Sequence, residues 1–120
     1  MEDSGIRLQR VASLIKHQVG KILEEEICDP RIAMTTITRV KVSRDLRLAT
    51  IFVSIYGDEA VRQGTIAAFE EVRAKVAVLL GKRIELRYTP RICFRRDKGA
   101  ERSYRIIELI DSLKQTEADE

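Results

Sequence analysis

Apolar residues near the N-terminus recur at intervals of three and four positions. This period is typical of an amphipathic helix that turns one face toward a core. Between residues 6 and 27 the apolar positions are Leu8, Val11, Ala12, Ile15, Val19, Ile22 and Leu23. The helix is predicted to end by Asp29-Pro30, because proline pushes the residue before it out of the α conformation.

Two segments then alternate between apolar and polar residues, with the two-residue period of a β-strand. They run from Met34 to Val42 and from Leu46 to Ile55. The link between them, residues 43–45, is short and polar. The simplest connection is therefore an antiparallel hairpin.

Helical spacing returns after Gly57-Asp58-Glu59, which supplies a helix start with acidic groups near the positive end of the helix dipole. The spacing continues to Leu79, and Gly81 follows where a glycine C-cap belongs. This span is predicted to form either one long helix or two helices that meet near residues 72–74.

A third strand is predicted from Ile84 to Phe94, where apolar and polar residues alternate again. Pro90 interrupts this run and marks an edge position or a bulge, because proline cannot donate to a strand ladder. Before the proline Arg87 faces away from the apolar positions, and after it Arg91 and Arg95 do so.

A short last helix is predicted to end near Leu113, and the polar tail 115–120 is expected to be disordered. The apolar positions of that helix are Ile106, Ile107 and Ile110. The predicted order of elements is α-β-β-α(α)-β-α. It describes one α+β domain over residues 1–114, with helices packed on one face of a small three-stranded sheet.

Composition narrows the class of protein. The chain has 120 residues, of which 44% are hydrophobic and 34% charged, so one domain with its own core is expected. The longest apolar run, residues 76–80, is far shorter than the roughly 20 residues that span a bilayer, so no membrane contact is expected. Cys28 and Cys93 lie outside any paired spacing, which indicates reduced thiols in a cytoplasmic protein.

Catalysis receives little support from the residues. The chain has one histidine, His17, and no Walker loop or nucleophile motif, so neither a metal nor another cofactor is expected. Cys28 beside Asp29 leaves a small thiol-dependent hydrolase as an alternative. The C-terminal end of a helix, however, raises the pKa of a thiol, which opposes that chemistry.

Charge is distributed unevenly along the chain. The net charge is +3, but residues 73–105 hold eleven basic and three acidic residues and so carry +8, which leaves −5 for the rest. Such asymmetry is typical of a surface that faces a polyanion, and the alternative is a basic face solvated by water and counterions. The candidate RNA contacts are Lys75, Lys82, Arg83, Arg87, Arg91 and Arg95, followed by Arg7, Arg10, Arg31 and Arg44.

Two of the polar candidates have an alternative role in the fold. Arg31 could cap a helix end instead of binding RNA, and Asp45 could fix the hairpin turn, which is the interpretation we favour for Asp45. Among the aromatic residues, Phe52, Phe69 and Phe94 are assigned to the core. Tyr56, Tyr88 and Tyr104 remain either as platforms on which RNA bases stack or as residues at the edge of the core.

Several short motifs resemble those of the bacterial ribosome-binding factor A family. These are Arg7-Leu8-Gln9-Arg10-Val11-Ala12, Asp29-Pro30-Arg31, Ser43-Arg44-Asp45-Leu46 and Leu79-Leu80-Gly81-Lys82, followed by the third strand with Pro90. The resemblance covers about residues 6–110. It implies a KH-like fold of the bacterial type II topology. It also implies a monomer that binds the immature small ribosomal subunit and assists maturation of its ribosomal RNA, especially in the cold.

The resemblance also implies a kink of the form Ala-x-Gly between two helices, where ordinary KH domains carry a GXXG loop. This chain has Val72-Arg73-Ala74 there, and the missing glycine weakens the expectation of a bend. Other assembly factors are expected as partners besides the small subunit. A general RNA chaperone without preference for the ribosome is the alternative among binding proteins.

Overall fold

A computed structural model describes residues 2–103, in which we label six helices and strands. They are α1 (Glu2–Glu25), α2 (Pro30–Ala33), β1 (Thr35–Val42), β2 (Leu48–Ile55), α3 (Glu59–Arg83) and β3 (Arg91–Arg96). Residues 98–103 are helical after β3. The rest of the predicted last helix, Tyr104 and the predicted tail 115–120 lie outside the described residues.

The three strands form one mixed sheet in the order β1-β2-β3. β1 pairs with β2 in antiparallel fashion, as the hairpin pattern predicts, and β2 pairs with β3 in parallel fashion. A parallel pair requires a crossover connection, which α3 supplies. Ile51 pairs with Val40 on one side and with Phe94 on the other, so the three strands present their apolar residues on one face.

Both long helices cover that apolar face. Ile15, Val19 and Ile22 of α1 and Phe69, Val76 and Leu80 of α3 are buried together with the inward residues of β2. The Phe69 ring contacts the Phe94 ring of β3, with the ring centroids 4.6 Å apart. This arrangement confirms the predicted α+β domain with helices on one face of the sheet.

The Asp29-Pro30 dipeptide separates two helices. α1 ends at Glu25, as expected upstream of the proline. Asp29 then caps a short helix that the periodicity did not predict, because its side chain accepts a hydrogen bond from the Arg31 amide at 2.9 Å. Pro30 occupies the first helical position, where its missing N–H costs nothing. The Asp29-Pro30 dipeptide therefore starts α2, in addition to preventing α1 from continuing.

The helix α3 is continuous through residues 72–74, so the alternative of two helices is wrong. It begins as predicted, since the Asp58 side chain accepts from the Val61 amide at 2.9 Å. It does not end at Gly81 but continues to Arg83, and Ile84 closes it in an extended conformation. Gly81 serves close packing instead, because a Cβ there would lie 2.8 Å from the Thr89 hydroxyl oxygen.

The third strand is shorter than predicted and begins at Arg91. Residues 84–90 form an irregular segment in which Ile84 is buried and Leu86 half-buried. The physical reason lies in the partner strand: Arg91 pairs with Leu48, the first residue of β2, so no earlier residue of β2 remains for residues 84–90 to pair with. The alternation of apolar and polar residues in this segment reflects partial burial, and not pairing with a neighbouring strand.

We predict that a glycine in the middle of α3 destabilises the domain. Ala74→Gly should lower the free energy of unfolding by roughly 0.5–1 kcal/mol, because glycine has more backbone freedom to lose. In the same helix, Gly64→Ala should raise it by a similar amount, since a Cβ at Gly64 would meet nothing within 4 Å. Urea unfolding measures both variants. A stabilising Ala74→Gly would contradict the continuous helix.

Candidate nucleic-acid interface

An open groove lies where the start of α1, the loop 43–47 and the segment 84–90 meet. Its volume is about 550 Å³. Four arginines line it, and we call it the arginine groove: Arg7, Arg47, Arg87 and Arg91. Half-buried Leu46 and Leu86 contribute apolar surface, and Asp45 is the only acidic residue that lines it.

The loop 43–47 is held by hydrogen bonds from its own side chains. The Asp45 carboxylate accepts from the Ser43 hydroxyl at 2.7 Å and from the Arg47 amide at 3.1 Å. The Ser43 hydroxyl oxygen in turn accepts from the Leu48 amide at 3.0 Å. The Ser43 hydroxyl and the Arg47 amide hold the pKa of Asp45 below its usual range. Asp45 is therefore occupied in fixing the turn, which confirms its structural interpretation.

Two further features fix the arginines of the groove relative to one another. Leu46 adopts a left-handed conformation with φ of 60°, which turns the chain between Asp45 and Arg47. The Arg91 amide donates to the Arg47 carbonyl at 2.8 Å and so joins the loop to the start of β3. The backbones of Arg47 and Arg91 are thus in direct contact, although the residues lie far apart in sequence.

The charges of the groove are available to a ligand. All four arginines are exposed, and no carboxylate among residues 5–103 lies within ion-pair distance of any of them. Tyr88 beside them is 74% exposed, and the Arg87 guanidinium lies 5.7 Å from its ring centroid. Guanidinium groups bind phosphate bidentately, and an exposed tyrosine ring offers a face for a base.

A second basic surface lies on the side of the sheet that α1 and α3 do not cover. We call it the open sheet face, and it comprises the outward residues Arg39 and Lys41 of β1, Phe52 of β2 and Arg95 of β3. Arg91 lies at its border with the arginine groove. Phe52 was assigned to the core from sequence, and this is wrong, because Phe52 faces away from the helices beneath the Arg39 guanidinium.

Three other predicted RNA contacts bind groups of the protein itself. Arg31 pairs with Asp29 at 2.7 Å and with Glu71 at 3.1 Å, which joins α2 to α3. Arg83 pairs with the Glu25 carboxylate at 3.1 Å, and the Lys75 ammonium lies 3.5 Å from the Glu26 carbonyl. These contacts favour a structural role for Arg31 and Arg83.

Arg10, Arg44 and Lys82 are exposed and lie apart from the ion pairs found within residues 5–103. Arg44 belongs to the loop of the arginine groove, and Arg10 follows Arg7 by three positions on the same face of α1. The basic stretch from Arg73 onward therefore forms no single face. Side chains rotate around α3 and alternate across β3, so consecutive charges point to different neighbours.

Arg39, Lys41 and Arg47 belong to these two surfaces, and the sequence analysis did not select them. The alternation of Arg39 and Lys41 with apolar neighbours indicated that both face away from the core. Their proximity to Arg95, and that of Arg47 to Arg91, arises from strand order, which local periodicity does not contain.

Other chemistry finds little support in the described part of the chain. Cys28 is exposed, Cys93 is half-buried, and neither forms a disulfide. Residues 2–103 hold no group of three or more histidine, cysteine or acidic side chains arranged for a metal ion. No helix within these residues is long and apolar enough to cross a membrane.

Comparison with known proteins assigns the family. The model of the ribosome-binding factor A family matches residues 7–110. Ribosome-binding factor A of Halothermothrix orenii is 40% identical over 111 residues, which cover 92% of this chain and 91% of the relative. The chain belongs to the ribosome-binding factor A family.

Solved structures of this family share the fold. The crystal structure of ribosome-binding factor A from Thermus thermophilus superimposes with a TM-score of 0.66 at 20% identity, covering 74% of this chain and 94% of that one. A homology model of the Thermus thermophilus factor, fitted into a cryo-EM map of a 30S complex, gives 0.59 at 21% identity, covering 70% and 88%. The predicted KH-like fold is thereby confirmed.

We predict that the loop of the arginine groove weakens in acid. The depressed pKa of Asp45 contributes stability that is present above the unfolded-state value of about 4 and is lost as pH falls through the lower folded value. Asp45→Ala should therefore unfold at lower urea concentration than the wild type at pH 7, and the difference should shrink below about pH 4.

Arg44→Gln, the matched change in the same loop, should alter stability by less than about 0.5 kcal/mol. A difference between Asp45→Ala and the wild type that stays constant from pH 7 to pH 3 would contradict the role of the carboxylate.

Proposed function

We propose that this chain is a cytoplasmic, monomeric assembly factor that binds the immature small ribosomal subunit and assists the maturation of its ribosomal RNA. Membership of the ribosome-binding factor A family supports this proposal. The Thermus thermophilus factor, fitted into the map of a 30S complex, supports the small subunit as the partner. Other assembly factors on the same particle are further candidate partners.

The observation that carries the RNA contact is the arginine groove. Four exposed arginines converge there, and the one carboxylate beside them, Asp45, is bound within its own loop. Such a site attracts phosphates without regard to base sequence, since the contacts are to the backbone of the nucleic acid. Arg10 and Arg44 extend the groove along α1 and the loop, and we assign both to the same contact.

The proposed action is binding without a catalytic step. A protein that binds one conformation of the maturing RNA more tightly shifts the folding equilibrium toward that conformation, by as much as the difference in binding free energy. Low temperature slows the escape of RNA from misfolded helices. A factor that stabilises a productive intermediate therefore matters most in the cold.

A general RNA chaperone is the alternative within the same class. It would use the same groove, but its affinity for isolated RNA would equal its affinity for the assembling particle. Competition between immature small subunits and protein-free ribosomal RNA separates the two functions. Preference for the particle supports the assembly factor, and equal affinity supports the chaperone.

We predict that the arginine groove determines affinity for small subunits and its salt dependence. In Arg7→Gln/Arg87→Gln two phosphate contacts are lost, each worth about 0.7 in the log–log salt slope on unpaired RNA. Affinity at 0.1 M salt should then fall about 25-fold, and the slope should flatten by about 1.4.

The matched control is Lys21→Gln/Arg73→Gln, which removes two positive charges from the exposed surfaces of α1 and α3. It should lower affinity by less than about threefold, because screening limits the effect of distant charges. Equal losses in both variants would show that total charge, not the groove, sets the affinity. Binding of the wild type that does not depend on salt would exclude a phosphate contact altogether.

A further inference from the structure

The open sheet face has the composition of a ligand surface, not of a solvated exterior. Its strand positions carry exposed Arg39, Lys41 and Arg95, with Arg91 at the border, and no carboxylate occupies an outward position on any of the three strands. Among residues 5–103, the acid that lies within ion-pair distance of these cations is Asp97, just after β3, which is 3.8 Å from Arg39. Its carboxylate also accepts a hydrogen bond from the Thr38 hydroxyl at 2.6 Å.

Arg39 is held in position before any ligand arrives. Its guanidinium lies 3.9 Å from the centroid of the Phe52 ring, and its Nε is 3.8 Å from the Asp97 carboxylate. The side chain nevertheless remains 61% exposed. A guanidinium stacked on a ring loses little further freedom on binding. Its outer face remains open to a base, while its Nε faces the Asp97 carboxylate.

The register of the sheet places a second charge on the other side of the same ring. Arg39 pairs with Phe52, and Phe52 pairs with Arg95, so the three side chains form one row across the sheet. Neighbouring strands are about 4.8 Å apart, so the row spans about 10 Å. Lys41 stands two positions further along β1. The result is an aromatic ring flanked by cations on both sides.

This arrangement favours an unpaired RNA strand over a duplex. Unpaired bases stack on aromatic rings and on guanidinium planes while cations follow the backbone, whereas a duplex keeps its bases stacked internally and offers mainly phosphates and sugars. A sheet face on which a guanidinium covers an aromatic ring, with a further cation on the strand beyond, matches the first pattern.

We propose that the open sheet face binds a segment of unpaired RNA, as a second contact separate from the arginine groove. A base would stack on the outer face of the Arg39 guanidinium, whose inner face lies on Phe52. Arg95 and Lys41 would neutralise phosphates on either side. This inference rests on the proposed function, since the RNA in question is that of the maturing small subunit. It adds that the protein contacts this RNA with two neighbouring surfaces, the arginine groove and the open sheet face, which meet at Arg91 of β3.

The test compares four double variants and the wild type. The sheet variant is Arg39→Gln/Arg95→Gln, and a second form, Arg39→Lys/Arg95→Lys, keeps both charges but loses the planar groups. The groove variant Arg7→Gln/Arg87→Gln and the control Lys21→Gln/Arg73→Gln complete the set. Binding is measured to immature small subunits, to a fluorescent 12-nucleotide oligouridine and to a 12-base-pair RNA duplex, with thermal unfolding to verify each fold.

The sheet variant should bind the oligouridine at least about 25-fold more weakly at 0.1 M salt, about fivefold from the lost Arg95 phosphate contact and about fivefold or more from the lost Arg39 stack. It should bind the duplex within about threefold of the wild type. The lysine form should lose an intermediate factor on the oligouridine alone, because charge without a plane does not stack. Both variants should also bind immature subunits more weakly than the control does.

Each other result overturns the inference in a distinguishable way. If the sheet variant binds like the wild type while the groove variant is impaired, the second contact is wrong and the proposed function stands. If neither variant is impaired on subunits, both proposals fail. Equal loss on oligouridine and duplex, or equal loss in the control, would show a general effect of charge and would also overturn the stacking site.

Discussion

The parallel pairing of β2 with β3 is the constraint on which the candidate interface depends. It begins where Leu48 pairs with Arg91, and the Arg91 amide donates to the Arg47 carbonyl at 2.8 Å. That contact holds one wall of the arginine groove against the other. The same pairing sets Arg95 beside Phe52 on the open sheet face. Because parallel strands need a long connection, the length of α3 is part of the same constraint.

At the C-terminal end of β3 the charged residue is ion-paired within the protein, unlike the exposed Arg91 and Arg95. The Arg96 guanidinium binds the Glu59 carboxylate at 2.6 Å and the Glu101 carboxylate at 2.9 Å, and Glu101 is buried. These contacts raise the pKa of Arg96 and lower that of Glu59. Arg96 thereby ties β3 to the start of α3 and to the helical residues 98–103. The adjacent residues Arg95 and Arg96 thus have different surroundings: Arg96 is ion-paired and stabilises the fold, and Arg95 is exposed on the open sheet face.

The features that the sequence predicted correctly are those that depend on local period. The inward positions of β2, from Ala49 to Ile55, and the start of α3 at Asp58 follow from alternation and from capping chemistry, and both are confirmed. α2 was missed because Asp29-Pro30 was interpreted only as the end of a helix. The segment 84–90 was predicted as strand because alternation shows partial burial but does not show whether a partner strand is present.

The candidate site was predictable only in part for the same physical reason. Arg87, Arg91 and Arg95 were selected from their density along the chain, and the structure separates them between a groove and a sheet face. Arg47 and Arg39 have ordinary neighbours in sequence, so their significance appears only when strand order brings them to Arg91 and Arg95. Arg31 and Arg83 looked equally basic, but Glu71 and Glu25, which pair with them, come from other helices.

The central claim is that this chain acts on ribosomal RNA by binding energy alone. The most direct measurement is the ratio of precursor to mature small-subunit ribosomal RNA in cold-grown cells that lack the chain and carry a variant instead. The account predicts that Cys28→Ser restores the wild-type ratio, whereas Arg7→Gln/Arg87→Gln leaves precursor in excess in proportion to its lost affinity. Full restoration by the arginine variant together with failure of Cys28→Ser would contradict the account and point to a thiol-dependent activity.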